Sequence, residues 1–144
     1  MGPGTERKDH AMRIVHVEGI GPVYGAKLGK TGIRTTGALL KRGASPEGRK
    51  EIAAAAGIGH ALILEWVNLA DLYRIKGVGS EYSDLLEETG VDTVVELSKR
   101  DAEHLHGKMV ETNQDKNLVN RMASLKQVRK WIAQAKRLPR VVTY

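Results

Sequence analysis

The segment Val17-Glu18-Gly19-Ile20-Gly21-Pro22 returns later in the chain as Ile75-Lys76-Gly77-Val78-Gly79-Ser80, and its surroundings return with it. In each copy a Tyr follows (Tyr24, Tyr82), then a small residue (Gly25, Ser83), a Leu (Leu28, Leu86) and a Thr-Gly-aliphatic triplet (Thr31-Gly32-Ile33, Thr89-Gly90-Val91), always 58 residues apart. One offset held over so many positions marks an internal repeat, so the chain is expected to be a tandem of two similar halves packed as one compact unit. Trp66 and Trp131 stand late in the two halves at a wider spacing, which puts seven extra residues in the second half near Asn113-Gln114-Asp115-Lys116-Asn117.

What the chain lacks narrows the core it can build. Of 144 residues, 41% are hydrophobic, yet none is Phe and only two are Trp and four Tyr, so the core must be aliphatic and Ala-rich. Such a core suits closely packed helices better than a sheet sandwich. The absence of Cys excludes disulfides and thiolate metal sites. No apolar run approaches the roughly 20 residues that cross a bilayer, and no signal-peptide stretch opens the chain, so a soluble, cytoplasmic protein with no membrane partner is expected.

A pass along the chain gives an all-α fold. Residues 1–13 begin Gly-Pro-Gly as vector-derived leaders do and are expected to be poorly ordered, with Met12 an alternative natural start. The first half is assigned to 14–72 and the second to 73–144. Gly19 and Gly21 permit the positive φ of a tight hairpin, and Pro22 suits the first position of a helix over 22–30. Val23, Gly25 or Ala26, and Leu28 are expected to face inward there, with Gly32 closing the helix. Thr35 or Thr36 caps the next helix, and Ser45-Pro46 starts another that ends near Gly57. Gly57-Ile58-Gly59 precedes a helix burying Leu62, Ile63, Trp66, Val67 and Ala70. In the second half Ser80 and Thr93 are the expected N-caps, Leu105, Met109 and Val110 mark a further helix, and residues 113–117 interrupt it. Ser124 and Gln127 form a capping box for the last helix, which stops before Pro139. Its inner stripe is Leu125, Val128, Ile132 and Ala135, leaving Lys126, Arg129, Lys130, Lys136 and Arg137 outside. Only the short Val141-Val142-Thr143 end has strand character.

Net charge is +6 with a pI near 9.7, which points to nucleic acid as a partner, but the charge is unevenly spread. Residues 1–72 carry a net +3 and 73–115 a net −5, while 116–144 carry eight basic residues and no acid. The basic excess therefore belongs to the C-terminal segment.

The pattern apolar-x-Gly-x-Gly-(Pro/Ser)-x-x-small-x-x-Leu, met at Val17 to Leu28 and again at Ile75 to Leu86, resembles the helix-hairpin-helix motif of DNA repair and polymerase proteins. From Ile14 to Tyr144 the chain also resembles a bacterial helix-hairpin-helix family known only as a domain of unknown function, through Arg74-Ile75-Lys76-Gly77-Val78-Gly79 and Leu138-Pro139-Arg140-Val141-Val142 among other segments. In DNA-binding members the hairpin N–H groups and the following helix N-terminus hold a phosphate oxygen, a contact blind to sequence. The resemblance implies one such cradle at Gly19, Ile20 and Gly21, aided by Lys27, Lys30 and Arg34, and a second at Gly77 to Gly79. DNA-binding members resemble Gly-x-Gly-Pro-Lys, whereas Val23 and Glu81 stand where that Lys would be. Glu81, Asp84, Glu87 and Glu88 would further repel phosphate from the second hairpin, which is therefore read as a packing turn.

Catalysis, cofactors and metals are not expected. His104 and His106 point two ways on a helix, no phosphate loop is present, and the carboxylates lie on charged helix faces without an isolated member to suggest a raised pKa. The leading expectation is sequence-independent binding of DNA or another nucleic acid by the first hairpin together with Lys126, Arg129, Lys130, Lys136 and Arg137. The alternative is a protein-interaction or self-assembly module, a homo-oligomer included, in which the acidic 73–115 surface meets the basic 116–144 surface.

Overall fold

Local signals start and stop the helices. The computed structural model describes residues 12–144; the Met1–Ala11 part of the expected disordered leader lies outside them. A 3₁₀ turn, Ile14–His16, is followed by α1 (Gly21–Gly29), α2 (Thr36–Arg42), α3 (Pro46–Ala56), α4 (His60–Leu72), α5 (Ser80–Glu88), α6 (Val94–Ser98), α7 (Ala102–Lys116) and α8 (Leu125–Arg137). No strand occurs among the described residues; the sole extended pairing is an isolated bridge between Arg13 and Thr35. The protein is thus all-helical and compact. Thr35, Ser45, Thr93, Asp101 and Ser124 each accept a backbone N–H at a helix start, and Ser124 with Gln127 completes the capping box.

The buried residues form two apolar clusters. One gathers Val17, Ile20, Leu28, Ile33, Leu39, Ile52, Ile63, Trp66 and Leu69 under α1 to α4; the other gathers Ile75, Val78, Leu86, Val91, Leu97, Leu105, Met109, Val128 and Trp131 under α5 to α8. In the first, α4 packs on α2 and α3; in the second, α8 packs on α6 and α7. Helix α4 is the wall between them, because it also packs on α5 and every residue from Trp66 to Leu72 is buried. Polar bonds reinforce that wall: the Asp71 carboxylate accepts from the Val94 N–H at 2.8 Å and from Arg74 at 2.8 Å, and Arg74 also donates to the Pro139 carbonyl.

Residues 141–143 do not form the short strand expected of them. Val142 instead enters the first cluster, and the Thr143 N–H donates to the Ala44 carbonyl at 2.8 Å. The buried Arg49 guanidinium donates to the carbonyls of Gly43, Ala44 and Thr143, and the Tyr144 hydroxyl donates to Asn68. The segment is a strap that returns from the second cluster to the first.

Four other expectations need correction. Val23 is 69% exposed, because it lies two residues, or about 200° of helical turn, from Gly25, and Gly25 and Leu28 are the positions facing the core. Ser80 does not cap α5; Gly79 holds that place in an extended conformation, and the Ser80 carbonyl accepts from the Ser83 hydroxyl. Residues 113–116 continue α7 rather than breaking it, and the helix closes where Asn113 accepts from the N–H groups of Leu118 and Val119 and Asn117 takes φ +51°. Met12 and Arg13 are not loose ends: the Thr36 N–H donates to the Met12 carbonyl and the Ile14 N–H to the Arg34 carbonyl.

Candidate nucleic-acid interface

The first hairpin has the backbone its glycines permit. Gly19 takes φ +88° and Gly21 +63°, and Pro22 occupies the first turn of α1. Of the three amides expected to cradle phosphate, that of Ile20 is already used, donating to the Val17 carbonyl at 3.1 Å, and the Ile20 side chain is buried. The second hairpin repeats that bond from Val78 to Ile75 and the positive φ at Gly77, but Gly79 lies at φ −106°.

The cations expected beside the first hairpin lie further along. Lys27 is exposed with its ammonium 5.9 Å above the Tyr24 ring, and that ring in turn packs 5.0 Å from Trp66. Lys30 and Arg34 follow the far end of α1, about 13 Å of helix from the turn. With Arg13 they rim a groove of about 690 Å³ whose floor is Ile14, Val15, Pro22, Gly25, Ala26 and Gly29. The turn and these two cations therefore do not converge on one phosphate. Arg13, absent from the sequence expectation, was obscured because it fell in a leader read as disordered.

The basic helix α8 keeps its cations outside. Lys126, Lys130, Lys136 and Arg137 are exposed and have no ion-pair partner among the described residues, whereas Arg129 bonds Glu103 of α7 at 3.1 Å. Inside, Val128, Ile132 and Ala135 are buried as the stripe predicts, with Trp131 buried beside them, while Leu125 at the first position is only half-buried. This helix sits beside the second hairpin rather than the first. The Lys76 N–H donates to Gln134 at 2.8 Å, a Cβ on Gly77 would stand 3.0 Å from Trp131 Nε1, and Tyr82 packs 5.2 Å from the Trp131 ring. The Tyr82 hydroxyl donates to the Arg121 carbonyl and so anchors the loop before α8.

Acidic groups crowd α5. Carboxylate oxygens of Asp84, Glu87 and Glu88 lie within 4.8 Å of one another, the one grouping among the described residues with the geometry to share a cation. The Lys116 ammonium already bonds Glu88 there. Burial, then the charges of Glu65, Asp84, Glu88 and Asp92, pushes the Glu87 carboxyl up to about 7. Burial and then Glu18 raise Asp84 as well, which places Glu18 of the first hairpin on this acidic side. A raised carboxyl was not expected, because these acids look like an ordinary solvated helix face; only α4, which brings Glu65 over α5, crowds and partly buries them.

Residues 18–138 match the family described as domain of unknown function (DUF4332). The chain belongs to the DUF4332 family. No curated protein and no solved structure matches it significantly. The DUF4332 match spans the Gly-x-Gly turns of both hairpins, the second cluster, the first cluster except Ile14, Val17 and Val142, and α1 to α8, and it stops just short of the strap. No helix of the described residues is long and apolar enough to cross a membrane.

Proposed function

We propose that this DUF4332 chain is a tandem of two helix-hairpin-helix halves and that it binds nucleic-acid backbone, without regard to sequence, on the outer face of α8. The tandem reading is supported by matched duties 58 residues apart. Thr35 and Thr93 cap helices, the Thr31 and Thr89 hydroxyls donate to the Leu28 and Leu86 carbonyls at 2.7 Å, and Arg42 and Arg100 close the loops after α1 and α5. The Tyr24–Trp66 and Tyr82–Trp131 pairs meet at the same 58° interplanar angle.

The observation that carries the binding reading is the set of exposed cations on α8 that have no ion-pair partner among the described residues. Lys126 to Arg137 spans about 17 Å of axis, roughly five nucleotide steps at about 3.4 Å each. Lys126, Lys130 and Arg137 fall within a narrow arc of that helix, with Lys136 to one side, so their side chains can follow one strand. Gly19 to Gly21 has a smaller part in this reading, since its middle amide is engaged and Glu18 lies at the turn. The test is fluorescence anisotropy of a labelled duplex and a labelled single strand. Absence of binding at about 50 mM salt, where backbone contacts are strong, refutes the proposal.

One further observation favours self-assembly as a second reading. Glu65, Asp84 and Glu87 have no ion-pair partner among the described residues, and a basic α8 from another copy would complement them. Light scattering at low salt that gives a monomer at every concentration removes that reading.

A further inference from the structure

We infer that the open groove along α1 is a docking site for an acidic amphipathic helix of another protein, seated on α1 as α4 is seated on α5. This rests on the tandem reading, which makes α1 and α5 equivalent. Pro22, Gly25, Ala26 and Gly29 recur three and four residues apart, so they line one side of α1. Val15 covers Gly25, where a Cβ would stand 2.5 Å from its Cγ1, and the small Ala26 and Gly29 leave room beside it for a second helix. Their counterparts on α5 are Ser80, Ser83, Asp84 and Glu87.

The α5 copy of this face is partly covered. Helix α4 packs across α5, and Glu65 comes close enough to raise both Asp84 and Glu87. Ser80 and Asp84 are half-buried, whereas Pro22 and Ala26 are exposed. Tyr73 is 3% exposed, whereas Val15, 58 residues earlier, is 39% exposed. The same architecture thus has a helix in place on one copy, whereas on the other, among the described residues, the turn Ile14–His16 packs on α1 and the groove beside it is open.

Charge selects the occupant. The groove is rimmed by Arg13, Lys30 and Arg34, none of them in an ion pair among the described residues, and no carboxylate of the described residues lines it. At the matching positions of the second copy stand Asp71, Glu88 and Asp92, so every rim charge is reversed in sign. A basic helix, including α8 of a second copy, is repelled; a helix that flanks an Ala/Leu stripe with glutamates meets both the small-residue floor and the cationic rim.

The probe is a fluorescein-labelled model peptide of α4's length with an Ala/Leu stripe flanked by glutamates, titrated with the full chain by fluorescence polarisation. Its counterpart carries lysine in place of each glutamate. The glutamate peptide binds and the lysine peptide does not. Ala26→Asp and Arg34→Asp, which install the residues of the α5 copy, each weaken binding tenfold or more, with circular dichroism melts confirming that both variants fold. Lys126→Gln with Lys130→Gln leaves peptide binding unchanged. No binding by the glutamate peptide, equal binding by the lysine peptide, or indifference to Ala26→Asp and Arg34→Asp overturns the inference. A duplex that displaces the peptide and itself loses affinity on Ala26→Asp also overturns it, by assigning the groove to nucleic acid. DNA affinity in the Lys126/Lys130 variant reports separately on α8, and the paired stability losses of Gly19→Ala and Gly77→Ala report separately on the repeat.

Discussion

Replacing Lys126 and Lys130 with glutamine removes two of the four α8 cations that have no ion-pair partner among the described residues, while leaving its buried Val128, Trp131, Ile132 and Ala135 intact. Each phosphate neutralised on duplex DNA contributes about −0.9 to the slope of log affinity against log salt, so four contacts give a slope near −3.6. Between about 50 and 200 mM salt that is a loss of roughly 150-fold, and the double variant, with a slope near −1.8, loses only about 12-fold. Arg129→Gln changes the slope less, because Arg129 must first give up Glu103. The assay is anisotropy of a labelled duplex titrated at several salt concentrations. Affinity is expected to fall with the double substitution at every concentration and the slope to flatten by about half. A slope unchanged by the double substitution refutes the placement of phosphate on α8, whatever happens to the absolute affinity.

Gly19→Ala and Gly77→Ala force a side chain into left-handed backbone at φ +88° and +96°, costing about 1–2 kcal/mol each. Gly77 should lose more, since its Cβ would lie 3.0 Å from Trp131 Nε1 against 3.6 Å from Trp66 Nε1 at Gly19; urea unfolding measures both. Glu87 has its folded pKa raised above the ordinary 4.5, to about 7. Its contribution to stability is therefore fully present below about pH 4.5 and lost as pH rises through 7. Glu87→Gln flattens that limb and makes the protein more stable than wild type at pH 8 in denaturant titrations, and an unchanged pH profile would discard the crowding argument. Arg49→Met leaves the carbonyls of Gly43, Ala44 and Thr143 without their buried donor, for a loss of about 2–4 kcal/mol and a lower melting temperature.

Much of the fold was legible because its causes are local. Thr35, Ser45, Thr93 and Ser124 announce helix starts through bonds that span three residues, and Trp66 and Trp131 lie on stripes whose period already marks them as buried. The misreadings arose where geometry or distance decides. Val23 reads as inward from its apolarity, although the roughly 200° between it and Gly25 around the helix points it to solvent. Ser80 looks like a cap, but the hairpin places Gly79 at the helix start. The polar run at 113–117 reads as a break, yet Asn113 spends its side chain on closing the helix that contains it. The candidate site was less legible still. The helix period puts Lys126, Arg129, Lys130, Lys136 and Arg137 on the exposed side of α8, but only tertiary packing sets that helix beside the second hairpin and separates Lys30 and Arg34 from the first. Arg49 carries no local mark of burial at all, because the carbonyl of Thr143 that holds it lies 94 residues away.

The strap also bears on how the chain is made. Val142 completes a cluster otherwise built from 14–73, and Thr143 bonds a carbonyl 99 residues upstream. At roughly 5–20 residues per second, a ribosome needs at least about five seconds to supply that stretch after Ala44. During that interval the first four helices can emerge and collapse, but the seat for Val142 stays empty and the Gly43 to Arg49 turn lacks its last acceptor. Nascent chains halted before Val142 should therefore be more open to proteolysis around Ala44 than the completed protein, although all the residues of α1 to α4 are already present.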